Sequence, residues 1–511
     1  MIETPFYKKI EDKVSKMTET RCISVRLTFE SMTFLNNAEQ VSPEWKQLEA
    51  SLTRIKNKNI SHEERQTLKC SIDKLKAKIL SQESAQFPLA GLKGGLRYWW
   101  RALQWVPVKL QLIAKNNDQF PKDEATIDKR TLQTLHQNER ELWGSAEEGK
   151  GIGCSKVRIR LKKSILPIHR ANQTHSLTSD DNPDDDISSI QYIAGQGYKL
   201  REGKLSDMSP LRPVVSSHQS IDFVFQFSPE LSDQSIRQVL EALLCFAEFG
   251  GLGSRSRKGF GSFSVQFTQS LVKENNQALS QEQLYKQLIQ CIKNDRINNQ
   301  QIKNWSVPPI PAFSAATLWA QFSVRKEMTD KQLLMTIGES YKAARLQIGQ
   351  GDKDRIFKGQ YPARLQVGFP LITYRFVIDE KGEKKIGLDQ KPQETKAIYR
   401  IYSKNHEVRR RGALVFLSCI RKHIEKSEKK LINVLLLTSK YLPDNSKSKL
   451  SFKDNENKKE VPIPFLPQEV IDELGSTQGF FTELTTNLIS SHHISEEFTV
   501  IYHKGSTNGT E

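Results

Sequence analysis

The chain has no C-x-x-C pair: its six cysteines, Cys22, Cys70, Cys154, Cys245, Cys291 and Cys419, are scattered over 511 residues. That excludes a disulfide framework and a structural zinc site of the usual ligand spacing. The ten histidines are equally dispersed, with only His492 and His493 adjacent and none in H-E-x-x-H spacing, so no metal centre is expected. No run of about 18 apolar residues occurs, and the opening MIETPFYKKIEDK holds no apolar core of a signal peptide. The expected location is therefore cytoplasmic, with no membrane partner. Also missing are a G-x-S-x-G elbow, a Walker A G-K-[ST], a cysteine with a positioned histidine and a pair of acids in an apolar setting. The sequence calls for no cofactor, no small-molecule substrate and no catalytic group.

Acidic residues are the other shortage. Against 59 Asp and Glu stand 76 Lys and Arg, a formal net charge of +17. An excess of that size favours a polyanionic partner, nucleic acid above all once the membrane is set aside. With 37% hydrophobic and 26% charged residues the chain is expected to be globular, and its length suits two or three domains.

Residues 21–29, RCISVRLTF, alternate strictly, as a half-buried strand does. Residues 43–83 are polar and helix-prone and read as an exposed helical insertion, with Ser61 to Glu64 as a capping box. From Leu92, Leu96, Trp99 and Leu103 recur at helical spacing, while Lys93, Arg97 and Arg101 form a basic stripe on another face. A second polar stretch runs from about 116 to 141. It gives way to a strand on which Val157, Ile159 and Leu161 face one way and Lys156, Arg158, Arg160 and Lys162 the other. Residues 176–189 form an acidic loop whose spacing lacks the glycine and terminal glutamate of a calcium loop.

The clearest unit spans 220–268. A strand with Ile221, Phe223, Phe225 and Phe227 on one face leads into a helix over about 232–249, which stops at Gly250-Gly251-Leu252-Gly253 through an αL residue. A strand with Phe263, Val265 and Phe267 follows. Residues 307–311, VPPIP, mark a boundary. Beyond it come strands near 313–324, 413–420 and 432–438 and a helix near 330–348. The working division is an N-terminal domain over 1–275 and a C-terminal one over 276–511.

Three segments carry the chemistry. The loop GGLGSRSRKGFG, residues 250–261, has five glycines that let the backbone approach a ligand, and Arg255, Arg257 and Lys258 add fixed charge. Gly251, Gly253 and Ser254 belong to the same anion-holding surface. The start of the helix near 91, with Gly94 beside Lys93, offers backbone N–H groups at the positive end of the helix dipole, and Arg97 and Arg101 extend the contact. Trp99 belongs to the core, whereas Trp100 or Tyr98 could stack on a base. The ladder Lys156, Arg158 and Arg160 spaces its charges about 6.6–6.8 Å apart, close to the phosphate spacing of extended RNA. His169 and His218 are the candidates for a general base, should the chain be an endoribonuclease.

At these segments the sequence resembles a known family. LKGGLRYWWRAL is similar to the K-G-x-L-R-F-W-W-R-A helix of Cmr-type RAMP proteins, LWGSAEEGKGIGCSKVRIRL to their L-F-G-S…S-x-V-x-I strand, and GGLGSRSRKGFGSF to the RAMP glycine-rich loop. The second half resembles it more loosely, through RRRGALVFLSCI. Among members, the large first subunit of the type III-B Cmr CRISPR complex is the nearest in plan. The resemblance implies an α+β fold of two tandem ferredoxin-like (RAMP/RRM-like) domains. It implies a non-catalytic RNA-binding role in antiviral RNA-guided defence, at the guide's 3′ region. Guide RNA, target RNA and other RAMP subunits are the implied partners. A RAMP-type endoribonuclease that processes precursor guide RNA is the alternative.

Overall fold

A computed structural model describes residues 21–34, 47, 50–51, 53–55, 60–80, 84–115, 123–145, 154–162, 165–167, 188–194, 198–199, 209–210, 214–268, 273–274, 277–297, 301, 305, 307–325, 328–352, 368–369, 371–376, 394–403, 406–408, 411–412, 414–424, 427–439, 446–453, 458–462, 478–491 and 494–501. His169 and most of the acidic loop lie outside them.

The first unit is an antiparallel sheet of β1 (Arg21–Phe29), β2 (Val157–Leu161), β3 (Ser220–Phe227) and β4 (Phe263–Phe267), in the order β4-β1-β3-β2. Register follows the apolar alternation. Ile23 and Val25 stand opposite Phe225 and Phe223, and Val157 and Ile159 opposite Phe227 and Phe225, which gathers the large side chains on one face. That face is closed by helices. Between β1 and β2 lie α1 (His62–Leu80), α2 (Leu89–Lys115) and α3 (Glu124–Trp143). The expected cap of α1 is present, Glu64 N–H donating to Ser61 Oγ at 3.1 Å. The polar stretch of 116–141 is mostly helix α3, capped by Asp123, whose carboxylate accepts from Ala125 and Thr126. A short helix, α4 (Ser188–Ala194), precedes β3.

Helix α5 (Asp233–Phe249) joins β3 to β4 and is capped by Ser232. Every residue from Ala242 to Phe249 is buried, a helix apolar almost all round, which needs cover on both sides. The first sheet covers one side and a second sheet the other. The second sheet holds β5 (Leu318–Val324), β6 (Val415–Ile424), β7 (Ser427–Leu436) and β8 (Ile494–Ile501), in the order β6-β7-β5-β8. Trp319, Phe416 and Leu435 on one of its faces join the core around α5. Ala320, Phe322, Leu417, Ile432 and Val434 on the other pack on α7 (Asp330–Ile348) and α8 (Gln478–Ile489). Helix α6 (Gln281–Cys291) packs by Leu284 and Leu288 on the first core, and its Gln281 bonds Val265 O and Phe267 N, so that core extends beyond residue 276. A further antiparallel sheet contains 371–376, 394–403, 446–453 and 458–462.

Polar groups seal the seam between the two sheets. Glu248, 4% exposed, accepts from Lys422 Nζ at 2.7 Å, and the Asn433 amide donates to its carboxylate and its carbonyl. Arg421 binds Glu30 at 3.2 Å and Asp330 at 3.1 Å, linking β1 to α7. Arg421 and Glu30 side chains are 11% and 7% exposed, so the pair is desolvated. Replacing Arg421 by methionine leaves Glu30 buried without its guanidinium. We expect a loss of about 3–5 kcal/mol in urea unfolding, and a loss under about 1 kcal/mol would show the pair to be solvated.

Candidate functional site

Two of the three basic segments meet. The start of α2 and the glycine-rich loop line one cavity of about 750 Å³, with Gly91, Gly95 and Tyr98 on one side, Gly253, Ser254 and Arg257 on the other, and Phe416 of β6 beneath. They converge because α2 and α5 cross closely. A Cβ on Gly95 would lie 2.2 Å from Phe246 Cε1, and one on Gly250 2.4 Å from Phe246 Cδ2, so both helices must present bare backbone to that ring. The helix end differs from expectation accordingly. Gly250 is extended (φ −105°), and its glycine is required by the crowding rather than by an αL stop. The left-handed residues come later, at Gly253, Gly259 and Gly261 and at Arg255 (φ 62°). At Gly261 a Cβ would meet Leu252 O at 1.9 Å.

The loop is tied into the protein on both sides. Ser254 N–H donates to Phe34 O, Gly261 N–H to Met32 O, Leu252 N–H to Gly261 O and Gly259 N–H to Leu417 O. With those of Gly250 and Lys258, six of its N–H groups are donors inside the protein, which makes the loop a stiff strap carrying side chains more than an open nest of amides. Arg257 lines the cavity with its guanidinium 4.7 Å from the Phe416 ring centroid and 5.8 Å from that of Tyr98. Ser254 Oγ, buried and lining the same cavity, has no hydrogen-bond partner among the described residues. Arg255 is exposed, Gly251 lines the cavity, and Gly94 on α2 is exposed, a Cβ there meeting nothing within 4 Å.

The stripe on α2 is divided. Lys93 stays half-buried, its pKa lowered by burial and by Arg97 one turn on. Arg97 and Arg101 turn to Glu139 of α3, at 2.7 and 3.0 Å. Burial would push the Glu139 carboxyl up, but the two guanidinium groups outweigh it and hold the group below its ordinary value. His136 Nδ1 also faces it, at 3.4 Å. Glu139 lies in an otherwise polar stretch, and its place with Leu132, Leu135 and Leu142 on one helical face is the sequence signal of its burial. Trp99 is core, as expected, and Trp100 is buried too; Tyr98 is half-buried at the cavity wall.

The ladder lies elsewhere. Val157 is buried on the helix side, so the exposed Arg158 and Arg160 point to the opposite face of the sheet from the cavity. They share that face with Arg26, which is paired with Asp222, and Lys156 sits 3.8 Å from Glu230. His218 contacts Arg421 at 3.0 Å. Lys258 runs under the second unit, its ammonium 4.6 Å from the Tyr341 ring centroid, and burial followed by the charges of Arg255 and Arg345 lowers its pKa to about 7. No group of three or more metal-ligating side chains occurs among the described residues, and none of their helices is long and apolar enough to cross a membrane.

A group held below its usual pKa adds stability above its unfolded value and loses it as pH falls. Glu139→Gln should cost about 1–3 kcal/mol in urea unfolding at neutral pH, and the difference from the native chain should vanish well below pH 4.5, the ordinary value. A difference that persists at low pH would place the effect in packing.

A solved structure described as "Crystal structure of Cmr1 from Pyrococcus furiosus (apo form)" aligns over 94% of this chain and 99% of its own, at 14% identity and a TM-score of 0.37. No curated protein matches. Residues 50–264 match the model of the RAMP superfamily. The segment that supplies α2, α5 and the glycine-rich loop lies within that match.

Proposed function

We propose that the chain is a non-catalytic subunit of a type III-B (Cmr) CRISPR effector complex, holding guide RNA or the guide–target duplex near the guide's 3′ region. The observation that carries this reading is the cavity where the α2 start and the glycine-rich loop, far apart in sequence, meet around Arg257. Both segments are motifs of the resemblance, and both fall within the RAMP-superfamily match. The contact is with backbone, not sequence. Lys93, Gly94, Gly251, Gly253, Ser254, Arg255, Arg257 and Lys258 form the principal surface. Arg158 and Arg160 form a second on the open sheet face, while Arg97 and Arg101 shape the first through Glu139.

The two units are read as ferredoxin-like domains. What supports this is that each sheet runs fourth–first–third–second in chain order, with helices after the first and third strands. Other RAMP subunits and target RNA are the proposed partners, and cleavage is assigned to a different subunit. The nuclease alternative needs a base near the loop; of its candidates, His218 is held by Arg421.

If about five phosphates are neutralised, log K should fall with log salt at a slope of about −3.5 to −4.5. Gly94→Glu adds negative charge where a side chain meets nothing, and should gain about 0.5–1 kcal/mol of helix stability. The same variant should weaken guide-RNA binding severalfold in a filter-binding titration. Unchanged affinity with a flat salt response would overturn the reading.

A further inference from the structure

The glycine-rich loop does not end at the cavity. Its second half enters the other unit. Phe260 joins the core of α7 and α8, with its ring 5.1 Å from Phe34, and Gly259 lies against Ile337, Leu334 and Cys419. Helix α4, from the first half of the chain, also packs on α7, where a Cβ on Gly338 would meet Ser189 O at 2.5 Å. Loop, α4 and α7 thus meet, and the charged side chains seen there against Tyr341 and Tyr192 are Lys258 and Arg345.

Lys258 reaches in from the loop and lies over Tyr341 of α7 at 4.6 Å. Arg345, one helical turn further on, donates to Tyr192 Oη of α4 at 3.1 Å and lies over that ring at 5.6 Å. Among the described residues neither Lys258 nor Arg345 has an ion pair, and Arg345 Nε is buried with no acceptor. Arg255 adds its field, acting on both Lys258 and Tyr341. Tyrosine faces offset part of the repulsion. Cations held together by folded elements, with one donor unsatisfied, are an arrangement that an anion would complete.

We propose that Lys258 and Arg345, in the field of Arg255, form a phosphate-binding site at the seam between the glycine-rich loop and α7. That the phosphate belongs to an RNA backbone rests on the function proposed above. The site carries the strand beyond the cavity onto the second unit, so both units grip it. The pH dependence follows from the facing groups, which are Arg255 on the loop, Tyr341 and Arg345 on α7, Tyr192 on α4 and Cys419 on β6. Burial pushes the Tyr341 hydroxyl and the Cys419 thiol up, away from neutral pH, whereas Lys258 is lowered to about 7, so phosphate binds more tightly below that pH than above it.

Inorganic pyrophosphate, titrated at constant ionic strength against the full chain in a thermal-unfolding assay, is the probe. We expect a rise in Tm that is larger at about pH 6 than at about pH 8.5 and absent in Arg345→Gln. Lys258→Met serves should that variant fail to fold. No rise in the native chain, or an equal rise in both variants, overturns the site. Guide-RNA binding is measured in parallel, where Arg345→Gln should lose roughly fivefold to tenfold and about 0.7–0.9 of the salt slope. Pyrophosphate protection with unchanged RNA affinity overturns the assignment of the phosphate to RNA. Protection in a chain that binds no RNA at all sinks the proposed function and leaves the anion site standing.

Discussion

Burial of α5 on two sides is the constraint from which the rest follows. A helix whose last eight residues are all buried cannot sit at the edge of a single sheet, so a second sheet must close over it. That layer order sets where the next residues go. The loop after Phe249 emerges at the junction of the two units and is held between Phe34 and Met32 on one side and Leu417 on the other. Glu248 fixes the seam from the buried end through Lys422 and Asn433, a polar network whose members are satisfied by one another.

Much of this was legible in the sequence, and the reason is periodicity. The alternation of RCISVRLTF and SIDFVFQF placed two central strands, and the helical spacing of Ile236, Leu240, Leu243 and Phe246 placed the helix after SIDFVFQF, although that its last turns have no solvated side shows only in the packing. The glycine-rich loop was also visible. Its glycines, however, serve close packing of Phe246, Phe34 and Leu252 more than ligand approach, a distinction only the packed neighbours reveal.

The remainder depended on contacts across long sequence separations, which leave no periodic mark. Glu139 is 38 residues from Arg101 and 42 from Arg97, yet it decides what those arginines face. Arg345 is drawn to the loop by packing of α7. The ladder's opposite direction could have been inferred from its own alternation, since Val157 and Ile159 fix the inward face. Knowing which side carried the cavity still required the order of the layers. The cations of the three basic segments thus sort into three groups: those neutralised within the fold, those on the open sheet face, and those gathered at the cavity and the seam beside it.

RNA lying at the cavity formed by α2 and the glycine-rich loop is the central requirement of the proposed function. Photo-crosslinking of the assembled particle with guide RNA carrying 4-thiouridine, followed by peptide mapping, tests that most directly. The predicted crosslinks fall on peptides holding Tyr98, Arg257 and Phe416. Crosslinks confined to the Arg158 and Arg160 strand, or absent from this chain altogether, would contradict it.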